Sequence, residues 1–280
     1  MRVPIVLSLL WAATVLPAAP KFVFERLALH QFEDGPLLPD SYEFLPGETG
    51  WFSCRMAGFS VEPEEETRHV SLIWELRVVD AAGVLLEAPQ NGEIDQKLRS
   101  QDKDWAPKFL ANFQVPPFAP GGVYRVAIVA KDEIAHAEIK GELAFRVRAA
   151  AFVPADTLTI RNFHFFRGEN DTAPMTTSAY RQGSTLWARF EIVGYKFQED
   201  NRFSVDYGLT VLAPDGKELF TQPEAATESK ESFYPQRLVP GGLSLNLEKN
   251  LAVGTYTLVV VVHDKISGQA TEQRATFRVE

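Results

Sequence analysis

Hydrophobic and polar residues alternate along much of the chain with a period of two residues. Successive side chains of a β-strand point to opposite faces, so this alternation predicts strands with one buried face. Residues 254–264 are a clear example. Their predicted inward side chains are Tyr256, Leu258, Val260 and Val262. The outward positions include Val259 and Val261, which predicts that this second face is covered as well.

Other segments show the same alternation, and turn motifs rich in proline and glycine separate them about every 8–12 residues. The predicted inward residues of four such segments are Leu72, Trp74, Leu76 and Val78; Ala111, Phe113 and Val115; Val205, Tyr207, Leu209 and Val211; and Leu243, Leu245 and Leu247. We find no convincing long amphipathic helix beyond the N-terminal segment. Short strands at this spacing are typical of a β-sandwich.

The chain also contains an internal repeat. Residues 122–147 align without a gap with residues 254–279, and eight of the 26 aligned positions are identical. Upstream segments align with small insertions and deletions, among them residues 47–59 with residues 183–195. Such self-similarity is typical of a duplicated folding unit, so we expect two copies of one fold.

In the first copy a Pro/Gly turn, residues 120–122, precedes an alternating strand with Gly-x-Tyr at Tyr124, and the second copy repeats the Gly-x-Tyr and the strand at Tyr256. This motif resembles the tyrosine corner of immunoglobulin-like folds, and Trp74 lies where such folds place a buried aromatic residue. The chain thus resembles the tandem immunoglobulin-like or fibronectin type III-like domains of many bacterial exported proteins. Together with the repeat, the resemblance implies an all-β fold of two tandem immunoglobulin-like β-sandwich domains, residues 21–150 and their duplicate, residues 151–280.

The single cysteine, Cys54, excludes an intrachain disulfide. Antibody-type domains join strands B and F by a disulfide, and this chain departs from that pattern. Cys54 lies between the inward residues Phe52 and Met56 of the predicted strand B. We therefore expect Cys54 to be a small, buried hydrophobic side chain.

Residues 1–19 have the pattern of a signal peptide. Arg2 supplies a positive charge, residues 3–16 are uncharged and mostly apolar, and small residues follow. Fourteen residues span about 21 Å as a helix, which is short of the roughly 30 Å hydrocarbon core of a bilayer. We predict a protein that is exported to the periplasm or the extracellular space and does not span the membrane. A buried N-terminal strand is the alternative interpretation.

The formal net charge of −9 argues against nucleic-acid binding, because an acidic chain repels a phosphate backbone. Lysine and arginine are scattered, without a basic cluster. The pair His263 and Asp264 is a candidate for catalysis, but the repeat aligns it with Lys131 and Asp132, which keep only the aspartate. Asp264 is therefore predicted to cap a turn.

No other motif predicts catalysis or a cofactor. The five histidines lack zinc spacing, and no nucleophile elbow, phosphate loop or dinucleotide fingerprint occurs. The sequence therefore predicts no catalytic residue, no cofactor and no metal ligand. The one candidate for calcium binding is the loop at residues 167–174, where Glu169, Asn170 and Asp171 could supply oxygen ligands. Its spacing matches no calcium-loop pattern, so a solvated turn is the main interpretation.

Aromatic residues offer candidate contacts. Trp51 and Trp187 align between the two copies, and by alternation both point away from the core. A repeated outward aromatic residue suits stacking on a sugar or packing on a partner, and cover by an adjacent loop is the other interpretation. Trp105, in a polar loop, is a third candidate. The charged loops at residues 88–108 and 222–240 differ between the copies, and binding surfaces often lie on such loops.

These features predict a non-enzymatic exported protein with a binding or structural role, acting through contacts with a protein or with the cell envelope. A carbohydrate-binding module that uses the outward aromatic residues is the first alternative. A periplasmic chaperone-like protein is the second, because pilus chaperones also pair two immunoglobulin-like domains. Against it, we find no basic inter-domain anchor for a carboxylate in the sequence.

Overall fold

The computed structural model describes residues 21–149 and 153–280. The predicted signal peptide, residues 1–19, lies outside the described residues. Seventeen β-strands and one short 3₁₀ helix, Glu199–Asn201, make up the regular structure of the described part of the chain. The all-β fold class is confirmed.

The first nine strands form one β-sandwich. They are β1 (Val23–His30), β2 (Glu43–Phe44), β3 (Thr49–Ala57), β4 (Glu62–Pro63), β5 (Thr67–Val79), β6 (Gln90–Arg99), β7 (Lys108–Gln114), β8 (Gly122–Asp132) and β9 (Ala137–Val147). One sheet has the order β1-β3-β7. The other has the order β2-β9-β8-β5, and both β4 and β6 pair with β5.

The other eight strands form a second β-sandwich. They are β10 (Thr159–Phe166), β11 (Ala179–Tyr180), β12 (Thr185–Val193), β13 (Phe203–Leu212), β14 (Glu218–Lys230), β15 (Leu238–Asn246), β16 (Gly254–Asp264) and β17 (Ala270–Val279). The sheet orders are β10-β12-β15 and β11-β17-β16-β13-β14. The short strands β2 and β11 run parallel to β9 and β17, and the other pairs are antiparallel. Both sandwiches thus have an immunoglobulin-like arrangement.

The predicted inward residues fill the space between the sheets. Leu72, Leu76 and Val78 of β5 are at most 1% exposed, and their predicted counterparts on β13 are buried as well. Cys54 is 1% exposed, and burial raises the pKa of its thiol to about 12. The prediction that Cys54 behaves as a buried hydrophobic side chain is confirmed.

Both predicted tyrosine corners are present. The hydroxyl of Tyr124 donates to the carbonyl of Pro120 at 2.8 Å, and that of Tyr256 donates to the carbonyl of Ala252 at 2.6 Å. Both rings are buried. Each bond ties the start of the long central strand, β8 or β16, to the loop that precedes it.

Tyr256→Phe is expected to lower the free energy of unfolding by about 1 kcal/mol, because the ring stays packed while the bond to Ala252 is lost. Urea unfolding followed by tryptophan fluorescence measures this change. Tyr42→Phe is the matched control, since the Tyr42 hydroxyl makes a longer bond, 3.2 Å, to Glu48 in a half-buried site. Equal losses in the two variants would contradict a special role for the corner.

Two glycines allow the backbone to pass closely at one end of each sandwich. Gly58 and Gly194 follow β3 and β12 with φ of +70° and +76°. A β-carbon at Gly58 would overlap the carbonyl oxygen of Lys21, and one at Gly194 would overlap that of Thr157. The chain segment entering the first strand of each sandwich therefore packs against a position that only glycine fits.

The strand β14 is the end strand of its sheet and carries a bulge. Tyr207 pairs with Ala226 and Leu209 pairs with Gln222, so residues 223–225 all lie opposite Gly208. A β-carbon at Gly208 would overlap the backbone carbonyl of Pro223. Glycine at this position lets the bulge fold back against β13.

The second face of β16 is covered by its own sheet. Val259 is 5% exposed, and its cross-strand neighbours are Thr210 and Arg274. The predicted cover therefore consists of side chains from β13 and β17 rather than another layer of structure. In the first sandwich, the aligned residues Ala127 and Val129 are half-buried and lie in a groove.

Candidate functional site

The outer face of the larger sheet in the first sandwich carries a groove of about 870 Å³, formed by β5, β6, β8 and β9. Its floor is apolar: Ile73, Ala127 and Val129 project from neighbouring strands. Alternation places these three side chains on the face opposite the core. The groove thus answers why β8 carries apolar residues on both faces.

Charged residues surround this apolar floor. Arg77 pairs with Glu75 at 2.6 Å, and Lys140 pairs with Glu138 at 3.1 Å. The hydrogen bond from Lys140 lowers the pKa of Glu138 below its usual value. Both signs of charge therefore persist around the groove at neutral pH, which suits contact with a surface that itself mixes apolar and charged groups.

Trp74 lies between Ile73 and Glu75 of the groove, but its side chain is on the inner face of the sheet. On its inner side the indole stacks on Phe109, with ring centres 4.3 Å apart and planes 10° apart. Gly92 lies opposite Trp74, and a β-carbon there would come within 2.6 Å of the indole. Alternation predicts the inward position of Trp74, and the cross-strand glycine makes room for the half-buried indole on that inner face.

The corresponding face of the second sandwich carries a polar cluster. His263 Nδ1 lies 2.8 Å from Asp206, and Lys265 lies 3.0 Å from Asp206 and 3.1 Å from Glu224. Burial raises the pKa of Asp206, but hydrogen bonds from Lys265 and His263 outweigh it, so the pKa lies below its usual value. His263 therefore pairs with an aspartate of β13 and forms no dyad with its neighbour in sequence.

Asp264 caps the turn after β16, as predicted. Its carboxylate accepts the backbone N–H of Ile266 at 2.9 Å and the hydroxyl of Ser267 at 2.6 Å. It also accepts the N–H of Lys196, in the loop after β12, at 2.9 Å. Asp132 does the same in the first sandwich, where it binds the N–H of Ser60 at 2.6 Å. Each aspartate is 1% exposed and joins two loops, so neither is available to a substrate.

The three candidate tryptophans are all half-buried. Trp51 lies opposite His30 of β1, and Trp187 lies opposite Phe166 of β10. Trp105 packs edge-on against Phe59, with ring centres 5.8 Å apart. The structure therefore places these side chains against their own sandwiches and does not bring them together.

Sequence reasoning missed a buried contact between His30 and Ser53. The Nδ1 of His30 lies 2.7 Å from the carbonyl oxygen of Gly35 and its Nε2 lies 2.7 Å from Ser53 Oγ. Because a carbonyl only accepts, Nδ1 carries the proton and Nε2 accepts the serine hydroxyl. Both side chains are 8% exposed, so the pair fixes the loop after β1 and leaves no room for a substrate.

The acidic loop proposed for calcium already holds a cationic side chain. Arg189 of β12 donates to the carbonyl oxygens of Glu169 and Asp171, the latter at 2.6 Å, and lies 4.3 Å from the ring centre of Phe166. The Asp171 side chain accepts the N–H of Gly168 at 3.1 Å. The loop is thus organised around a guanidinium group, which supports the solvated-turn interpretation.

Within the described ranges, no three His, Cys, Asp or Glu side chains are grouped as metal ligands. No helix among the described residues has the length and hydrophobicity to cross a membrane.

Comparisons with known proteins name no family. No protein-family model matches the chain. No curated protein matches it either.

Solved structures give only distant likenesses. The C-terminal domain of the Streptococcus pyogenes antigen I/II-family protein AspA is 10% identical with a TM-score of 0.32, covering 90% of this chain and 98% of that chain. The C-terminal domain of the Streptococcus agalactiae AgI/II polypeptide BspA is 8% identical with a TM-score of 0.29, covering 90% and 99%.

Red sea bream transglutaminase is 11% identical with a TM-score of 0.26, covering 91% of this chain and 31% of that chain. At these TM-scores the likenesses carry no argument about function.

Proposed function

We propose that the protein is a non-enzymatic, exported binding or structural protein that contacts a protein partner through the groove on the first sandwich. The observation that carries the proposal is the apolar floor of Ile73, Ala127 and Val129 inside a ring of paired charges. Apolar side chains surrounded by charged ones are the usual anatomy of a protein–protein contact surface.

The chemistry of the described residues supports binding rather than catalysis. The buried carboxylates of Asp132 and Asp264 accept backbone N–H groups, and the His30–Ser53 pair is enclosed. A catalytic base or nucleophile must reach a substrate, and these groups are occupied within the fold.

The same proposal covers domain organisation and export. Residues 21–150 and 151–280 form two domains that arose by duplication, with residues 1–19 removed as a signal peptide. The matching strand orders of the two sandwiches support the duplication. The equivalent positions of Gly58 and Gly194 support the duplication further, since each glycine contacts the backbone segment that enters the first strand of its sandwich.

The proposal is tested by site-specific crosslinking. A photoreactive amino acid replaces Val129, on the groove floor, and in a matched control replaces Leu110, which is 39% exposed on the outer face of the opposite sheet. Each protein is irradiated with envelope extract of the source organism. We expect one saturable adduct from position 129 and none from position 110.

Competition decides whether the adduct depends on the groove. An excess of unlabelled protein should remove it, while an equal excess of Ala127→Arg, folded by circular dichroism, should not. Equal labelling at both positions, or equal competition by the variant, would sink the proposal. Glycan-array binding that is lost in Trp51→Ala and Trp187→Ala would instead favour the carbohydrate-binding alternative.

A further inference from the structure

A side chain of the second sandwich lies in the core of the first. Tyr234, in the loop between β14 and β15, is 7% exposed and belongs to the cluster of buried side chains that contains Tyr124 and Val126 of β8. Its hydroxyl donates to Asp80 Oδ2 at 2.8 Å. Asp80 directly follows β5 and is 1% exposed. The contact joins residues separated by 154 positions in the chain.

Asp80 divides its two carboxylate oxygens between the sandwiches. Oδ1 accepts the backbone N–H groups of Ala82 and Val84, both at 2.8 Å, and so closes its own turn. Oδ2 accepts the hydroxyl of Tyr234 and lies 3.6 Å from Nη1 of Arg237, both residues of the second sandwich. One oxygen therefore serves the local turn and the other serves the junction.

The equivalent turn of the second sandwich forms without a buried carboxylate, because Ala213 stands in place of Asp80 and the turn's own Asp215 is exposed. The N–H of Asp80 donates to the carbonyl of Val84 at 2.9 Å, and the N–H of Ala213 donates to that of Lys217 at 2.8 Å in the same way. Burying a carboxylate costs free energy unless hydrogen bonds or an ion pair compensate it. The first sandwich buries one in this turn and the second does not, so the difference needs a cause other than the turn itself. The contact with Tyr234 is that cause.

The chemistry at the junction is complementary. Burial, and then the hydrogen bond to Asp80, raise the pKa of Tyr234, so its hydroxyl remains a donor at ordinary pH. The guanidinium of Arg237 lies 5.9 Å from the centre of the Tyr234 ring, beside the carboxylate. A buried aromatic ring, a charge-assisted hydrogen bond and a nearby cation thus meet at one point.

We propose that Tyr234 and Asp80 form an intramolecular latch that fixes the orientation of the second sandwich on the first. The ring supplies apolar burial, and the hydroxyl supplies direction because its acceptor is a single buried oxygen. The latch also accounts for part of the difference between residues 222–240 and the corresponding residues 88–108 of the first copy. Their difference, which suggested a binding loop for an external partner, includes a segment that binds the neighbouring sandwich.

The latch is tested in the full chain by measuring the distance between one exposed loop of the first sandwich and one of the second. Ser100, in the loop between β6 and β7, and Glu248, in the loop after β15, are exposed. Ser100→Cys and Glu248→Cys receive spin labels, and pulsed electron paramagnetic resonance gives the distance distribution. Cys54 is 1% exposed and so is protected from labelling.

The doubly labelled protein with an unaltered latch should give one narrow distribution of distances between the spin labels. Asp80→Ala and Tyr234→Ala should each at least double its width, and Tyr234→Phe should give an intermediate width because the ring still packs. Asp215→Ala, which removes an exposed turn carboxylate of the second sandwich, is the matched control and should leave the width unchanged.

Widths equal to the unaltered protein in both Asp80→Ala and Tyr234→Ala would overturn the latch. If Asp80→Ala unfolds the first sandwich, Tyr234→Phe decides, because it changes one hydroxyl on the other sandwich. An unchanged width in folded Tyr234→Phe would then overturn the role of the hydroxyl–carboxylate bond.

Discussion

Gly194→Ala should destabilise the second sandwich by about 3 kcal/mol. Two effects destabilise the variant. The residue keeps a φ of +76°, which costs a residue with a β-carbon about 1 kcal/mol, and its methyl group overlaps the carbonyl oxygen of Thr157. The obstacle is backbone just before β10, so relief requires the segment that enters β10 to move. Urea unfolding of the full chain, followed by circular dichroism, measures the loss.

A second glycine separates the two costs. Gly216 has a φ of +84° but nothing within 4 Å of a β-carbon, so Gly216→Ala should cost only about 1 kcal/mol. The difference between the variants is therefore the cost of the close approach. Equal losses would mean that the segment entering β10 does not pack against Gly194 as described.

Asp264→Ala is the second large effect, also about 3 kcal/mol. The substitution removes the acceptor for the N–H groups of Lys196 and Ile266 and for the Ser267 hydroxyl in a site where the carboxylate is 1% exposed. A buried donor that is left without an acceptor destabilises the folded state by its full free energy of desolvation. Asp215→Ala is the control, because Asp215 is exposed and accepts one N–H, that of Lys217, at 3.0 Å.

The pH dependence of unfolding tests the charge of Asp264 separately. Burial raises its pKa, but hydrogen bonds from Ser267 and from the backbone of Lys196 outweigh burial and place the pKa below its usual value. The unfolded state therefore binds the proton more tightly, and this stability is full above about pH 4 and lost as the pH falls further. Asp264→Asn should show a flatter decline below pH 4, and an unchanged decline would contradict this assignment.

Much of the fold could be predicted because alternation and turn chemistry are local properties. The inward side of β16, the tyrosine corner at Tyr256 and the turn cap at Asp264 each depend on residues close in sequence or on the repeat. Cys54 was predictable for the same reason, since its neighbours on the strand are apolar.

The candidate site was less predictable because it depends on which strands become neighbours. Ala127 and Val129 are recognisable as outward apolar residues, but the groove exists only because β5, β6 and β9 place charged residues around them. The indole of Trp74 fits against β6 only because its cross-strand partner is Gly92. The bond between Asp80 and Tyr234 crosses two sandwiches, and neither residue belongs to a local motif that predicts the other.

The bulge at Gly208 has a consequence for solubility. As the end strand of its sheet, β14 presents one row of backbone groups to solvent, and Leu219 and Phe220 on it are 50% and 45% exposed. A long, flat edge of this kind would recruit strands of other molecules into aggregates. The fold-back at Pro223 interrupts the edge between Gln222 and Ala226, and a second irregularity lies at Leu219, so the longest regularly paired run is five residues, 226–230. For a chain without a disulfide, this short interruption protects against amyloid-like association.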